Sequence, residues 1–241
     1  MIESNDRVIL LQDDREFYVR AGGGKLSTDR GIVDLDLLVG MEPGDEIPSH
    51  LGKCFSVRLP RAPDFFTHAR RSGAPMLPKD IGMVIGLTGM NHRDNVLDAG
   101  TGSGIAAIFF GGVAGSVTTF EIREEFARQA EKNIGEAKLD NVRAVAGDMR
   151  EAEGRFDIVH LDLHIERSHI EAAYALLSPG GYLATYTPFL EQTFAVMDAA
   201  GELFREVHTH ELIERELTRT NRGTRPSTRV CHTGYITIAR T

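Results

Sequence analysis

One stretch, Val96-Leu97-Asp98-Ala99-Gly100-Thr101-Gly102-Ser103-Gly104, constrains this chain more than any other. An apolar strand start runs into three glycines at alternate positions, then into Ile105-Ala106-Ala107, the opening of a helical pattern. Glycine is required where backbone turns sharply and a ligand must lie against it with no Cβ between them. Strand, glycine-rich turn and helix in that order form the nucleotide-binding corner of a doubly wound sheet. From residue 94 onward strands and helices alternate, which implies an α/β fold: a Rossmann-like parallel sheet with helices on both faces.

Two ligand classes use such a corner. A dinucleotide fingerprint needs G-x-G-x-x-G/A, which seats pyrophosphate on the helix N-terminus. Gly102-Ser103-Gly104-Ile105-Ala106-Ala107 fits it loosely, so the glycines alone leave the choice open. Asp98, two residues before the run, decides more. A carboxylate there suits a ligand carrying an ammonium or hydroxyls and no phosphate, which describes S-adenosylmethionine better than a pyrophosphate. Glu121 ends the strand Ser116-Val117-Thr118-Thr119-Phe120-Glu121, placed to accept both ribose hydroxyls. Asp148 follows the strand Val142-Arg143-Ala144-Val145-Ala146, at the edge where open sheets bind ligands. The adenine amino group is its expected partner, and a helix N-cap is the alternative.

The strand Phe156 to His164 places His160, Asp162 and His164 on one face. Asp162, near its end, is the candidate for engaging the group to be methylated. Two histidines and a carboxylate also suggest a non-haem iron site. Those three positions, however, are spread along about 13 Å of strand, too far for one ion. No metal is expected, and a buried, hydrogen-bonded side chain is the simplest account of His160.

Composition narrows the setting. Cys54 and Cys231 lie far apart and match no metal spacing, so a disulfide framework is not expected and the cytoplasm is the default compartment. No signal peptide or 18-residue apolar run is present in the 241 residues, so export and membrane spanning are not expected. A net charge of −8 argues against indiscriminate nucleic-acid binding but not against local basic patches. Two such patches occur. Arg58, Arg61, Arg70, Arg71 and Lys79 face only Asp64, with Phe65, Phe66 and His68 interleaved. Arg215, Arg219, Arg222, Arg225 and Arg229 face only Glu216, interrupted by a loop over 221–226. Basic side chains track phosphates and aromatics stack on bases, so the first is a candidate nucleic-acid contact, with a solvated linker as the alternative, and the second is compatible with phosphate contacts.

Residues 1–60 read as short strands and turns, with a hairpin around Gln12-Asp13-Asp14-Arg15. They are expected to form a small N-terminal β-domain ahead of a catalytic domain over 61–241. Helices are expected from Asp80 to about Met90, from Arg123 to Ala137, and from Phe189 to Gly201 with Phe194, Met197 and Leu203 in the core. The last strand is expected over Thr233-Gly234-Tyr235-Ile236-Thr237-Ile238-Ala239.

The glycine stretch resembles the class I S-adenosylmethionine-dependent methyltransferases. Further stretches narrow the resemblance to the tRNA adenine-N1 methyltransferases, which modify a T-loop adenine. They are Asp36-Leu37-Leu38-Val39-Gly40 with Gly44, Pro78-Lys79-Asp80, Pro179-Gly180-Gly181-Tyr182-Leu183, and Tyr186-Thr187-Pro188 with Gln192. The last is Arg225-Pro226 followed by His232-Thr233-Gly234-Tyr235-Ile236-Thr237. The match spans nearly the whole chain, and the Pro-Lys-Asp and His-Thr-Gly-Tyr stretches are its most specific parts.

This resemblance implies that Gly100, Gly102, Ser103, Gly104, Glu121, Asp148 and Met149 line the cofactor S-adenosyl-L-methionine. It implies that Asp162 is the catalytic carboxylate, that the target base is flipped into a pocket beside it, and that the assembly is a homotetramer. Arg70, Arg71, Lys79, Arg222 and Arg225 are then the expected tRNA contacts. The family pattern after the aspartate is Asp-Leu-Pro-x-Pro-Trp; here it is Asp162-Leu163-His164-Ile165-Glu166-Arg167, and Leu77 stands where Tyr is common. Both departures fall where the target base is expected to stack. Two rivals share the core motifs: a small-molecule methyltransferase acting on a corrinoid precursor, and a non-catalytic S-adenosylmethionine-binding subunit. The arginine clusters speak against the first and the retained Asp162 against the second.

Overall fold

Short apolar runs on either side of a polar turn, Val8-Ile9-Leu10-Leu11 and Phe17-Tyr18-Val19, pair Arg7–Gln12 (β1) with Arg15–Arg20 (β2) in the expected antiparallel hairpin. Asp13, at φ +54, supplies the left-handed residue that its two-residue turn needs. The computed structural model describes residues 1–227 and 232–241; Arg229 and Cys231 lie outside the described residues. Two compact units result: Met1–Ala69 with Glu136–Lys138, and Arg70–Gly135 with Leu139–Thr241.

In the first unit Lys25–Thr28 (β3) and Gly31–Asp34 (β4) form a second hairpin. Glu46–Pro48 (β5) and Cys54–Arg58 (β6) complete a four-stranded sheet in the order β2-β1-β6-β5. Val8, Leu10, Leu38, Ile47, Phe55 and Val57 fill its core. The unit extends past the expected boundary at residue 60 because the helix Ala62–His68 (α1) belongs to it. Phe65 of α1 is buried edge-on to Tyr18, and His68 stacks on the same ring.

The second unit begins with Pro78–Thr88 (α2), two residues before the expected start, because proline suits the first helical position. Gly89 at φ +66 ends it. Asn95–Ala99 (β7), Ile105–Gly111 (α3), Ser116–Glu121 (β8), Glu124–Glu136 (α4) and Val142–Ala146 (β9) follow. After them come Phe156–Leu161 (β10), Arg167–Leu176 (α5), Leu177–Thr187 (β11), Leu190–Gly201 (α6) and Glu206–Glu211 (β12). Leu217–Thr220 (β13), Gly223–Pro226 (β14) and Tyr235–Arg240 (β15) complete it.

The sheet order is β12-β15-β11-β10-β7-β8-β9. Strands β11 through β9 run parallel, while β15 is antiparallel to both of its neighbours. Alternation divides the strands between two layers. Leu97, Ala99, Val159 and Leu161 pack with Ile170 of α5 and Val196 of α6. Asp98 and His160 face the other way, where Phe110 of α3 meets His160 edge-on at 5.2 Å. The chain goes from β7 outward to β8 and β9, then crosses back to β10, so the order reverses between β7 and β10. That reversal opens a crevice at the carboxyl ends of the strands.

Two local expectations are corrected. Phe194 and Met197 are 56% and 37% exposed, because α6 buries Thr193, Val196, Ala199 and Ala200 instead. Residues 221–226 are not simply a loop: β13 and β14 form a hairpin closed by Asn221-Arg222, with Thr220 opposite Gly223. Among the described residues no helix is long and apolar enough to cross a membrane.

Candidate functional site

The glycine turn leaves the end of β7 and starts α3. Gly100, Gly102 and Gly104 have φ of +89, +53 and +80, the left-handed region that favours glycine. At Gly100 space forbids a side chain as well: a Cβ there would lie 1.9 Å from the carbonyl oxygen of Asp162. The turn is braced from outside. Asn133 of α4 donates to the Ser103 carbonyl at 2.7 Å and to the Arg70 carbonyl at 3.0 Å. The Ser103 hydroxyl accepts from the Ser72 N–H at 2.9 Å.

Beneath the turn lies a buried polar chain. His160 Nδ1 is 2.6 Å from Asp98 Oδ1, and Thr119 donates to Asp98 Oδ2 at 2.6 Å. Thr119 has spent its proton, so Thr101 donates to it at 2.5 Å. This corrects the expectation that Asp98 faces the cofactor. Its register opposite His160 turns the carboxylate into the α3 layer, where both oxygens are taken and only 1% of the residue is exposed. Asp98 supports the turn from below. His160 is the buried, hydrogen-bonded side chain expected.

Beside the turn a cavity of about 490 Å³ is lined by Gly100, Glu121, Asp148, Met149 and Asp162, among others. Glu121 is buried, and its Oε2 accepts the Gly102 N–H at 3.0 Å. Arg123 donates to Oε1 through Nε at 2.8 Å and to Oε2 through Nη2 at 3.1 Å. Burial works against the charge of Glu121, but these donors outweigh it and hold the carboxyl below its ordinary range. Asp148 accepts the Arg150 N–H at 2.9 Å, so it caps the short 3₁₀ turn Met149–Glu151 and lines the cavity at once. The Arg150 guanidinium lowers its carboxyl to about 2. Asp162 follows β10 directly, half-buried, and its N–H donates to the Ala99 carbonyl. Burial pushes its carboxyl up to about 6, with nearby Asp98 adding to the rise. Asp162 also lines a recess of about 50 Å³ between Gly73–Met76 and the glycine turn, so it separates two spaces.

Arg123 and Arg150 were not singled out from the sequence. The signal for them is a repeated spacing, Glu121-Ile122-Arg123 and Asp148-Met149-Arg150, at the ends of adjacent strands. His164, Glu166 and His169 complete the rim of the cavity. The basic residues do not gather in one place. Arg70 and Arg71 are exposed beside the turn, and Arg222 and Arg225 are exposed on the β13–β14 hairpin. Lys79 is corrected as a phosphate contact. Its side chain is 8% exposed and the three protons of its ammonium go to Asp80, the Leu212 carbonyl and Thr233. A nucleoside-sized cavity with ionised acceptors, a glycine cradle and a poised carboxyl suits group transfer from an adenosine-bearing donor.

Comparison with known proteins agrees in kind. Residues 96–181 match a family described as a methyltransferase domain. The chain is similar to the tRNA (adenine(57)-N(1)/adenine(58)-N(1))-methyltransferase TrmI of Methanocaldococcus jannaschii. The two are 36% identical over 267 residues, covering 96% of this chain and 94% of that protein. A solved SAM-dependent O-methyltransferase from Thermotoga maritima superposes with a TM-score of 0.87 at 29% identity, covering 100% of this chain and 94% of that one. The tRNA (m1A58) methyltransferase TrmI from Aquifex aeolicus shares the fold, with a TM-score of 0.81 at 24% identity over 99% of this chain and 98% of that one.

Proposed function

Since the chain belongs to the TrmI family of tRNA (adenine-N1)-methyltransferases, we propose that it methylates N1 of a T-loop adenine in tRNA, with the base flipped out beside Asp162. S-adenosylmethionine is its cofactor, and when bound it supplies the electrophilic methyl group. The residues present fit that group. Gly100 leaves the backbone bare on the cavity wall and Gly102 on the recess, Glu121 offers a carboxylate to the ribose hydroxyls, and Asp148 with Met149 borders the adenine end.

The observation that carries the reading is the position of Asp162 on the wall shared by the cavity and the recess. Held against Gly100, Glu121 and Asp148, the donor would supply its electrophilic methyl group to the lone pair on adenine N1. The chain's work is therefore alignment and exclusion of water. Asp162 accepts a hydrogen bond from the exocyclic amino group and stabilises the positive charge that develops on the ring. Extruding the adenine costs stacking, which phosphate contacts offset. Arg70, Arg71, Arg222 and Arg225 supply those contacts. The exposed Phe189, Leu190 and Phe194 give self-association an apolar surface to cover, in keeping with a homotetramer. A tRNA substrate is in keeping with a cytoplasmic enzyme.

The O-methyltransferase from Thermotoga favours a second reading, an oxygen acceptor outside tRNA. Transfer of label from S-adenosylmethionine to unmodified tRNA transcripts at low and high salt separates the two. Label entering tRNA and falling steeply with salt is expected. Cofactor binding without labelled RNA overturns the substrate assignment.

A further inference from the structure

The chain leaves β12 at Glu211 and re-enters the sheet at Tyr235 of β15, and these two residues stand opposite each other. Neighbouring antiparallel strands can be joined by as few as two residues. Here residues 212–234 intervene, and they carry the β13–β14 hairpin. Connections that long are uncommon in compact domains, and ordered ones are typically lids or binding loops.

Every residue of β13 and β14 is exposed. A two-stranded hairpin with no buried face is marginal by itself, so the direction of this arm is set at its roots. Arg219 lies opposite Thr224 and Arg225 opposite Thr218, which puts the two arginines on opposite faces, with Arg222 in the closing turn. No acid stands between residues 217 and 226. Both faces and the tip of the arm therefore present guanidinium groups suited to phosphates.

The roots are held from the start of α2. Lys79 Nζ donates to the Leu212 carbonyl at the outgoing root at 2.7 Å and to Thr233 Oγ1 at the returning root at 2.7 Å. Its third proton goes to Asp80 Oδ1 at 2.6 Å, and Thr233 donates to Asp80 Oδ2 at 2.8 Å. Asp80 is fully buried and Lys79 nearly so, which keeps water from competing for this tie. Glu211 and His232 form an outer pair 2.6 Å apart, but it is exposed and contributes little by itself. The Pro-Lys-Asp and His-Thr-Gly-Tyr stretches thus meet at the root of the arm.

We infer that Lys79, with Asp80 and Thr233, is a positioning residue for tRNA: one buried ammonium pins both roots of the β13–β14 arm and so aims its arginines. The inference rests on the reading of tRNA as substrate. A pinned arm meets the phosphates already ordered, whereas a swinging one has to be ordered as it binds. The tie therefore acts on tRNA affinity, not on the transfer step or on the cofactor.

Thr233→Val removes the hydroxyl at nearly constant volume and keeps the Lys79–Asp80 pair. The Kd for tRNA is expected to rise about 10-fold, with kcat at saturating tRNA and the Kd for S-adenosylmethionine unchanged within about twofold. Thr233→Ser restores tRNA affinity. Added to Arg222→Glu and Arg225→Glu, Thr233→Val costs no further tRNA affinity, because the arm it aims no longer binds. Full tRNA affinity in Thr233→Val, no rescue by Ser, a multiplied loss in the triple variant, or a fall in kcat overturns the inference. Independently of RNA, amide deuterium exchange over residues 211–219, read by mass spectrometry, reports the outgoing root. Faster exchange in Thr233→Val and the wild-type rate in Thr233→Ser are expected; an unaltered rate in Thr233→Val overturns the tie. If wild-type enzyme binds no tRNA, the substrate reading fails, while deuterium exchange still judges the tie.

Discussion

Replacing Asp162 by Asn separates the chemistry of the site from its stability. Lifting a carboxyl from 3.8 to about 6 makes its ionised form about 3 kcal/mol less stable in the folded chain. Between those two values the unfolded chain releases a proton that the folded chain keeps. Stability therefore falls as pH rises from about 4 to about 6 and stays lower above. Solvent reaches part of the side chain through the cavity, so 3 kcal/mol is a ceiling. Asp162→Asn removes this cost at constant shape, and its Tm at pH 8 should rise by up to about 10 °C. Turnover should fall about 100-fold or more, because the amide cannot take proton density from the amino group. In wild-type enzyme the carboxyl is about nine-tenths ionised at pH 7 and about one-tenth at pH 5, so kcat/KM should fall with an acid limb near pH 6. Scanning calorimetry at pH 4 and pH 8 and labelled-methyl transfer across that range read both effects. An Asn variant that turns over within a few-fold of wild type, or melts lower at pH 8, refutes the reasoning.

Other residues make equally direct tests. Gly100→Ala places a Cβ 1.9 Å from the Asp162 carbonyl in a left-handed turn, so titration calorimetry should find cofactor binding lost; normal affinity would contradict the cradle. Asp98→Asn leaves either His160 or Thr119 facing an amide N–H in place of an acceptor and should destabilise the chain by about 1–3 kcal/mol in denaturant melts. An unchanged melt with weakened cofactor binding would return Asp98 to the ligand. Arg222→Glu with Arg225→Glu should weaken tRNA binding alike for all sequences and flatten its salt dependence by about 2 in log–log slope, leaving cofactor affinity unchanged. An unaltered salt slope would remove the hairpin from the RNA path.

Much of the second unit was legible because its signals are local. Glycines at 100, 102 and 104 mark a turn of this kind, and the acids at 121 and 148 stand at or just past the ends of short strands rich in Val, Thr and Ala. Side-chain direction was less legible, since it depends on which strands become neighbours. Asp98 looked ligand-facing until β10 set His160 opposite it. Lys79 looked like part of a basic patch until Thr233, 154 residues away, met it in the fold. The exposure of Phe194 is of the same kind. An amphipathic pattern marks an apolar stripe but does not say whether this chain's own core covers it.

The most direct measurement is the identity of the methylated nucleoside. Unmodified tRNA transcript is incubated with enzyme and S-adenosylmethionine, digested to nucleosides and resolved by mass spectrometry, with a second transcript carrying guanine in place of the T-loop adenine. The account predicts 1-methyladenosine from the first transcript and none from the second. Methyl on another base or on a ribose oxygen, or equal methylation of both transcripts, would contradict it.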